Sequence, residues 1–383
     1  MWYTSFIMSG QAKNSNYDIA IIGLGPAGAT LARLLDERFS VLAIDKKNAP
    51  GADEKNEQTG PLKNGGFSKP CGGLLAPDAQ RALSSFRLNL PKDVLAHPQI
   101  FSVRTIDTKA NITRHYQRMY LNVDRRRFDN WLIGLIPAHV NVRHHAVCTK
   151  IRRTEAGYEI RWREAGEEQC ATATYIVGAD GAHSLVRRTL YPNKRIRSYI
   201  AIQQWFVDKH PTPFYSCLFD PRITDCYAWG LSKDGYFLLG GAFQKETARR
   251  DFEALKQHLP AYGFALGEPL RTESCVVLRP GGLFSHVTGR HGAYLVGEAA
   301  GFISPSSLEG ISYALNSARA LAHTINRGGG NGAYLRRTLS IRMRLLLKNL
   351  KSPFLYHPLL RWLVMKSGLS ALSMWGERSS PSA

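Results

Sequence analysis

Tyr17-Asp18-Ile19-Ala20-Ile21-Ile22-Gly23-Leu24-Gly25-Pro26-Ala27-Gly28 opens the first folded unit of the chain. Tyr17 to Ile22 is short, β-branched and ends in glycine, the pattern of a strand buried on both faces of a parallel sheet. Residues 27–38 predict a helix packed through Ala29, Leu31, Ala32, Leu34 and Leu35. Residues 40–44 predict a second strand, which ends at Asp45. Strand, tight turn, helix, strand and acid make up the context that a dinucleotide fingerprint requires. Gly23 permits the turn, Gly25 lets the backbone approach a pyrophosphate, and Gly28 lets the helix pack closely on the sheet. Pro26 and Ala27 open the helix, whose N-terminus presents N–H groups and a positive dipole to phosphates. Asp45, with Lys46 beside it, is placed to accept hydrogen bonds from a ribose.

Two more glycine-centred segments follow at long range. Tyr175-Ile176-Val177-Gly178-Ala179 reads as another buried strand and delivers Asp180-Gly181-Ala182-His183-Ser184-Leu185-Val186-Arg187. Tyr294-Leu295-Val296 repeats the pattern and delivers Gly297-Glu298-Ala299-Ala300-Gly301. In this order and spacing, the three segments describe one bound FAD. Residues 306–325 predict a helix. Its N-terminus would favour the negative charge that a reduced flavin gathers, and Gly310 and Ile311 are candidate cofactor contacts.

Bulk properties fit this reading. The 383 residues are 44% hydrophobic, 21% charged and 10% aromatic, enough for two interleaved domains and a tail. The formal charge of +20 favours acidic partners such as phosphorylated small molecules or anionic lipid surfaces. No nucleic-acid motif accompanies the charge. Six scattered cysteines, without CxxC pairs or metal-ligand spacing, predict a reduced, cytoplasmic protein and no metal. Residues 1–8 are too short for a secretory signal, and Met8 is an alternative start. No run approaches the ~20 apolar residues of a spanning helix. The polar stretch 48–66 reads as a mobile surface insertion.

Further segments resemble the geranylgeranyl reductase family within the flavoprotein hydroxylase superfamily, and within it the bacterial CbrA-type branch. Asp180 to Arg187 resembles the superfamily's DGxxSxxR motif. Glu298 stands where that superfamily has an aspartate that accepts from the ribitol chain. Lys69-Pro70-Cys71-Gly72-Gly73 resembles the family's K-x-C-G-G segment, which places Cys71, Gly72 and Gly73 at the cofactor. Val123 to Asp129 resembles its D-R-x-x-F-D segment and implies that Arg125 lies near the flavin. Tyr227-Ala228-Trp229 with Lys233 resembles Y-x-W-x-x-x-K, although Leu231-Ser232 stand where the reductases show Phe-Pro. Ala299 to Phe302 and Leu308 to Ile311 resemble the segment leading into the flavin-facing helix.

The resemblance implies a fold like that of p-hydroxybenzoate hydroxylase, in the α/β (mixed α+β) class. A Rossmann-like FAD-binding domain with a parallel sheet (17–85, 118–195 and 275–326) would carry an antiparallel-sheet substrate domain (86–117 and 196–274). An N-terminal extension (1–16) and a basic helical C-terminal region (327–383) complete the expected layout. Short, alternating, aromatic-rich runs at 200–207, 214–219, 226–231 and 236–243 agree with a separate sheet. Period two puts Tyr227, Trp229 and Leu231 on one face, either towards a cavity over the flavin or within packed core.

Cys71, Tyr227 and Trp229 are the candidate catalytic side chains. Cys71 is either a proton relay or a small neutral residue that allows close approach. Lys233 is either a holder of a phosphate head group or a solvated turn lysine, and His183 reads as a loop residue. The expected activity is FAD-dependent reduction of a double bond in a hydrophobic, isoprenoid-type substrate, with NAD(P)H as candidate electron donor. The alternatives are a flavin monooxygenase and a non-catalytic lipid-binding flavoprotein. From Gly310 onward, eleven Lys or Arg residues face one acid, Glu377, interleaved with apolar runs up to Trp375. That tail suits a cap over the FAD domain, a peripheral contact with an anionic membrane, or both. The sequence sets no oligomeric state.

Overall fold

A computed structural model describes residues 15–51, 69–210 and 214–374. The N-terminal residues to 14, most of the 48–66 insertion, Trp375 and Glu377 lie outside the described residues. Ser15–Ile22 is the central strand of the first sheet. It runs parallel to Val41–Ile44 on one side and to the end of Glu167–Gly178 on the other. Val140–Arg143 and Ala293–Leu295 extend the parallel set outward. Ile19 and Ile21 pack beneath the helices Pro26–Leu34 and Ile311–Asn326. Ala20 and Ile22 face Tyr158, Ile160 and Trp162 of an antiparallel meander. Burial on both faces is why the strand reads as an unbroken apolar run.

The fingerprint helix stops at Leu34, earlier than the predicted Arg38. Asn326 takes over the chain there: its amide donates to the Leu34 carbonyl at 2.9 Å and accepts the Asp36 N–H at 3.2 Å.

The second sheet runs Arg271–Leu278, Ser198–Val207, Tyr236–Phe243, Ala228–Lys233, Tyr215–Phe219, Ile100–Asp107, Ile112–Asn122. Neighbouring strands are antiparallel except Tyr215–Phe219 and Ile100–Asp107, which run parallel. The domain boundaries expected after residues 117 and 274 need correction. Ile112–Asn122 pairs with its hairpin partner from Ile112 to Tyr120, and Arg271–Leu278 pairs throughout with Ser198–Val207. A ladder that is hydrogen-bonded along its length cannot be divided between sheets, so the junctions move to 122 and 278.

The C-terminal helices Asn331–Arg337, Leu339–Tyr356 and Pro358–Ser367 fold back across both sheets. The Tyr334 hydroxyl donates to the Leu295 carbonyl of the parallel sheet at 2.9 Å. At the other end Arg361 pairs with Asp107 of the second sheet at 2.7 Å, both fully buried. Ala371–Leu372 then adds to the edge of Ile112–Asn122.

Candidate active site

The three glycine segments meet at the carboxyl ends of three adjacent parallel strands. The Ala179 N–H donates to the Ile22 carbonyl at 2.8 Å, and the Val296 N–H to the Gly178 carbonyl at 3.0 Å. A methyl group at Gly28 would lie 1.9 Å from the Gly23 carbonyl oxygen, so only glycine lets the helix sit this close to the turn. Arg187, quoted in the sequence reading only as the end of a motif, is the brace between the second and third segments. Its guanidinium donates to the Ala299 carbonyl at 2.8 Å and to the Ala182 carbonyl. Ser184 caps the helix that carries it, accepting the Arg187 N–H at 3.0 Å. Arg187→Met should cost about 2 kcal/mol by stranding buried carbonyls. Urea unfolding of the purified variant checks this, and an unchanged midpoint would remove the brace role.

The arrangement fits FAD on its own geometry. A methyl built at Gly25 meets no atom within 4 Å, so the N-terminus of Pro26–Leu34 opens onto a cradle that a side chain would fill. One carboxylate oxygen of Asp180 is buried without a partner among the described residues; the other accepts the Leu185 N–H at 2.6 Å. Burial raises this carboxyl above its ordinary range. Asp45, buried at the end of the second strand, accepts the N–H groups of Leu24 and, at 2.8 Å, of Lys47. Lys46 beside it is exposed. Gly23 to Gly28 would hold the pyrophosphate, Asp45 the adenosine ribose and Asp180-Gly181 the ribitol, with Gly297 and Gly301 shaping the third wall.

Glu298 differs from the sequence expectation of a ribitol carboxylate. The extra methylene carries its carboxylate to the second sheet, where it accepts the Leu278 N–H at 2.9 Å and pairs with Lys69. Burial pulls Lys69 down, but Glu298 outweighs it and holds the ammonium above its ordinary range. The helix expected to face the flavin begins at Ile311, five residues later than predicted. Ser304, Ser306 and Ser307 form a hydroxyl-bonded turn that competes with helix. Glu309 then accepts the Ser312 N–H at 2.9 Å, leaving Gly310 and Ile311 ahead of it at the helix end.

The 69–73 loop bridges the two sheets. Lys69 reaches Glu298, and a methyl at Gly72 would touch Leu231 at 3.6 Å. Gly73 adopts φ +67°, and a side chain there would strike the Val123 carbonyl and the Lys233 ammonium. Half-buried Cys71 has the Gly73 N–H 3.5 Å from its sulfur. Burial would push the thiol up, but Arg125, the Gly73 N–H and Lys69 outweigh it and hold Cys71 below the ordinary thiol range. Arg125 is in turn fixed by Asp129 one helical turn on, at 2.8 Å, and Lys47 meets the same carboxylate at 2.8 Å. The D-R-x-x-F-D spacing is thus explained physically: Asp124 caps the helix, Phe128 enters the core, and Asp129 aims Arg125.

Tyr227, Trp229 and Leu231 do line one face, but their roles divide. The Tyr227 hydroxyl donates to the Ser307 carbonyl at 2.7 Å, and burial pushes its pKa well up. That phenol holds the serine turn, and burial makes it a weaker acid than its expected catalytic role calls for. Trp229 packs 5.6 Å from Tyr227, and its buried indole N–H has no partner among the described residues. Lys233 corrects both of its readings. It is 3% exposed and donates to the Val123 carbonyl at 2.6 Å beneath Gly73; burial draws its pKa down to about 8. The alternation of its strand put it on the loop side, which is the signal that was there to be used. His183 is an exposed loop residue. A separate cleft of about 520 Å³, lined by Arg38, Phe39, Tyr175 and the turn after Ile325, lies at the opposite end of the parallel strands, away from these groups.

A family described as "FAD binding domain" matches residues 135–206. Protein CbrA of Shigella flexneri serotype 5b is 50% identical over 357 residues, covering 93% of this chain and 94% of that protein. A geranylgeranyl bacteriochlorophyll reductase-like protein from Thermoplasma acidophilum superposes with a TM-score of 0.72 at 18% identity, covering 94% of this chain and 89% of that one. The flavin-dependent brominase Bmp2 superposes at 0.62 with 16% identity, covering 92% and 93%. At these identities the solved structures establish a shared fold.

Proposed function

From a chain that belongs to the CbrA family and has the fold of FAD-dependent oxidoreductases, we propose a reductase of double bonds in a hydrophobic, isoprenoid-type substrate. The observation that carries this reading is the Cys71 thiol. It is held below the ordinary thiol range by Arg125 and Lys69, and its loop approaches Leu231, which shares an apolar cluster with Trp229. When bound, FAD supplies the hydride chemistry, with NAD(P)H as the candidate source of electrons. Asp180, Asp45 and the Gly23–Gly28 turn hold that cofactor. Cys71 keeps a proton on Sγ for the second carbon of the double bond, and Arg125 and Lys69 stabilise the thiolate left behind. Half-buried Trp229, backed by the fully buried Leu231, would give the isoprenoid an apolar contact and help exclude water.

Anaerobic incubation of the pre-reduced protein with polyprenyl phosphates, read by mass spectrometry, tests the reading. A gain of hydrogen pairs supports it. Unaltered lipid together with substrate-stimulated oxygen uptake replaces it with the monooxygenase alternative. Neither turnover nor oxygen uptake, with tight lipid binding, leaves a lipid-binding flavoprotein.

The proton donor makes a pH prediction. Cys71 donates only while protonated, so turnover should fall as pH rises through its pKa, and that limb should lie below the ordinary thiol range. Arg125→Met removes the charge that favours the thiolate, so the limb should move to higher pH. Cys71→Ser should lose the limb and about 10²–10³-fold in rate. A limb that stays put in both variants assigns the proton to another group.

A further inference from the structure

We propose that the outer face of the C-terminal helices is a docking surface for an anionic lipid bilayer. On Leu339–Tyr356, the side chains of Ile341, Leu345 and Ser352 turn inward and satisfy the core. Leu339, Met343, Leu347, Leu350 and Phe354, spaced four, four, three and four apart, form a second stripe that is 43–63% exposed. A helix that has already buried one apolar face has no folding reason to carry another. The next helix continues the surface with Leu359, Leu363 and Val364, which are 42–58% exposed. Arg344 and Lys351, seven residues apart and both exposed, run along one edge of the stripe, and exposed Lys366 follows on the second helix.

Charge selects the occupant. No Asp or Glu stands between Gly310 and Met374, and the chain carries a net +20. A second copy would bring like charges together on this face, whereas anionic head groups neutralise them while the acyl boundary takes the leucines. No described helix is long and apolar enough to cross a membrane, so the contact is interfacial. The buried Arg361–Asp107 pair and the Tyr356 hydroxyl on the Ser306 carbonyl (2.6 Å) pin the helices to the body, so the face is presented rigidly.

Flotation of the full-length, flavin-loaded chain tests this without any turnover, so failure of the reductase reading leaves the result intact. Vesicles of phosphatidylglycerol and phosphatidylcholine in equal parts should carry the protein at low salt, and release it as salt rises. Pure phosphatidylcholine should carry far less. Arg344→Glu with Lys351→Glu should lower the partition coefficient by about thirtyfold or more. Leu347→Glu with Leu350→Glu should abolish flotation, while retained flavin and far-ultraviolet dichroism report an intact fold. Wild-type protein that stays with the soluble fraction overturns the proposal, as do folded variants that float unchanged. A dimer by sedimentation, lost in the leucine variant and accompanied by no flotation, would assign the face to a second copy and overturn it as well.

Discussion

Gly25→Val is expected to give a folded, colourless protein. The added side chain meets no protein atom at its root, so folding has no cause to suffer. It fills the space in front of the Pro26–Leu34 helix, where backbone N–H groups would meet two phosphates. Losing two charge-assisted hydrogen bonds there costs about 3–5 kcal/mol, a weakening of flavin affinity of roughly 10²–10³-fold or more. Fluorescence titration of the apoprotein with FAD measures this, with urea unfolding as the control on the fold. A yellow variant of near wild-type affinity would move the pyrophosphate out of this turn. Gly28→Ala, by contrast, should damage the fold itself, because its methyl group would overlap the Gly23 carbonyl.

Arg361→Met should destabilise the protein by about 3–5 kcal/mol, the cost of leaving a charge buried without its counter-ion. Asp107 is 1% exposed, and without Arg361 it would keep only the N–H groups of Lys109 and Ala110, both at 3.0 Å. Arg361 also closes the helix junction through the Leu355 and Tyr356 carbonyls and lies 5.0 Å over the Phe219 ring. Restoring neutrality with Asp107→Asn in the same chain should recover much of the loss, because both charges are then gone. Chemical unfolding of the two single variants and the double variant gives the comparison. A single-variant loss below about 1 kcal/mol would mean that the cap is held elsewhere.

The parts legible in the sequence were those governed by local pattern. Tyr17–Asp45 carried its strand, turn, helix and acid in one stretch, and the alternation at 200–207 and 236–243 marked real strands. The roles that escaped depend on partners distant in sequence. Arg187 is one arginine among many until folding brings Ala299 within reach, 112 residues away. Lys233 read as a head-group holder or a turn lysine because the alternation that puts it on one face of its strand does not say that the 69–73 loop will cover that face. The start of the Ile311–Asn326 helix was misplaced because its propensity was weighed without the serine turn that competes with it. Arg361 is one of eleven Lys or Arg residues after Gly310, and only Asp107, 254 positions earlier, distinguishes it from a solvated cation.

The brace formed by Arg187 bears on biosynthesis. Its acceptors come from both sides of a wide gap in the chain, so a ribosome that has made everything up to Val296 has made no complete receptacle. The receptacle is therefore completed only late in synthesis, and chains truncated before Gly297 should not retain FAD on purification.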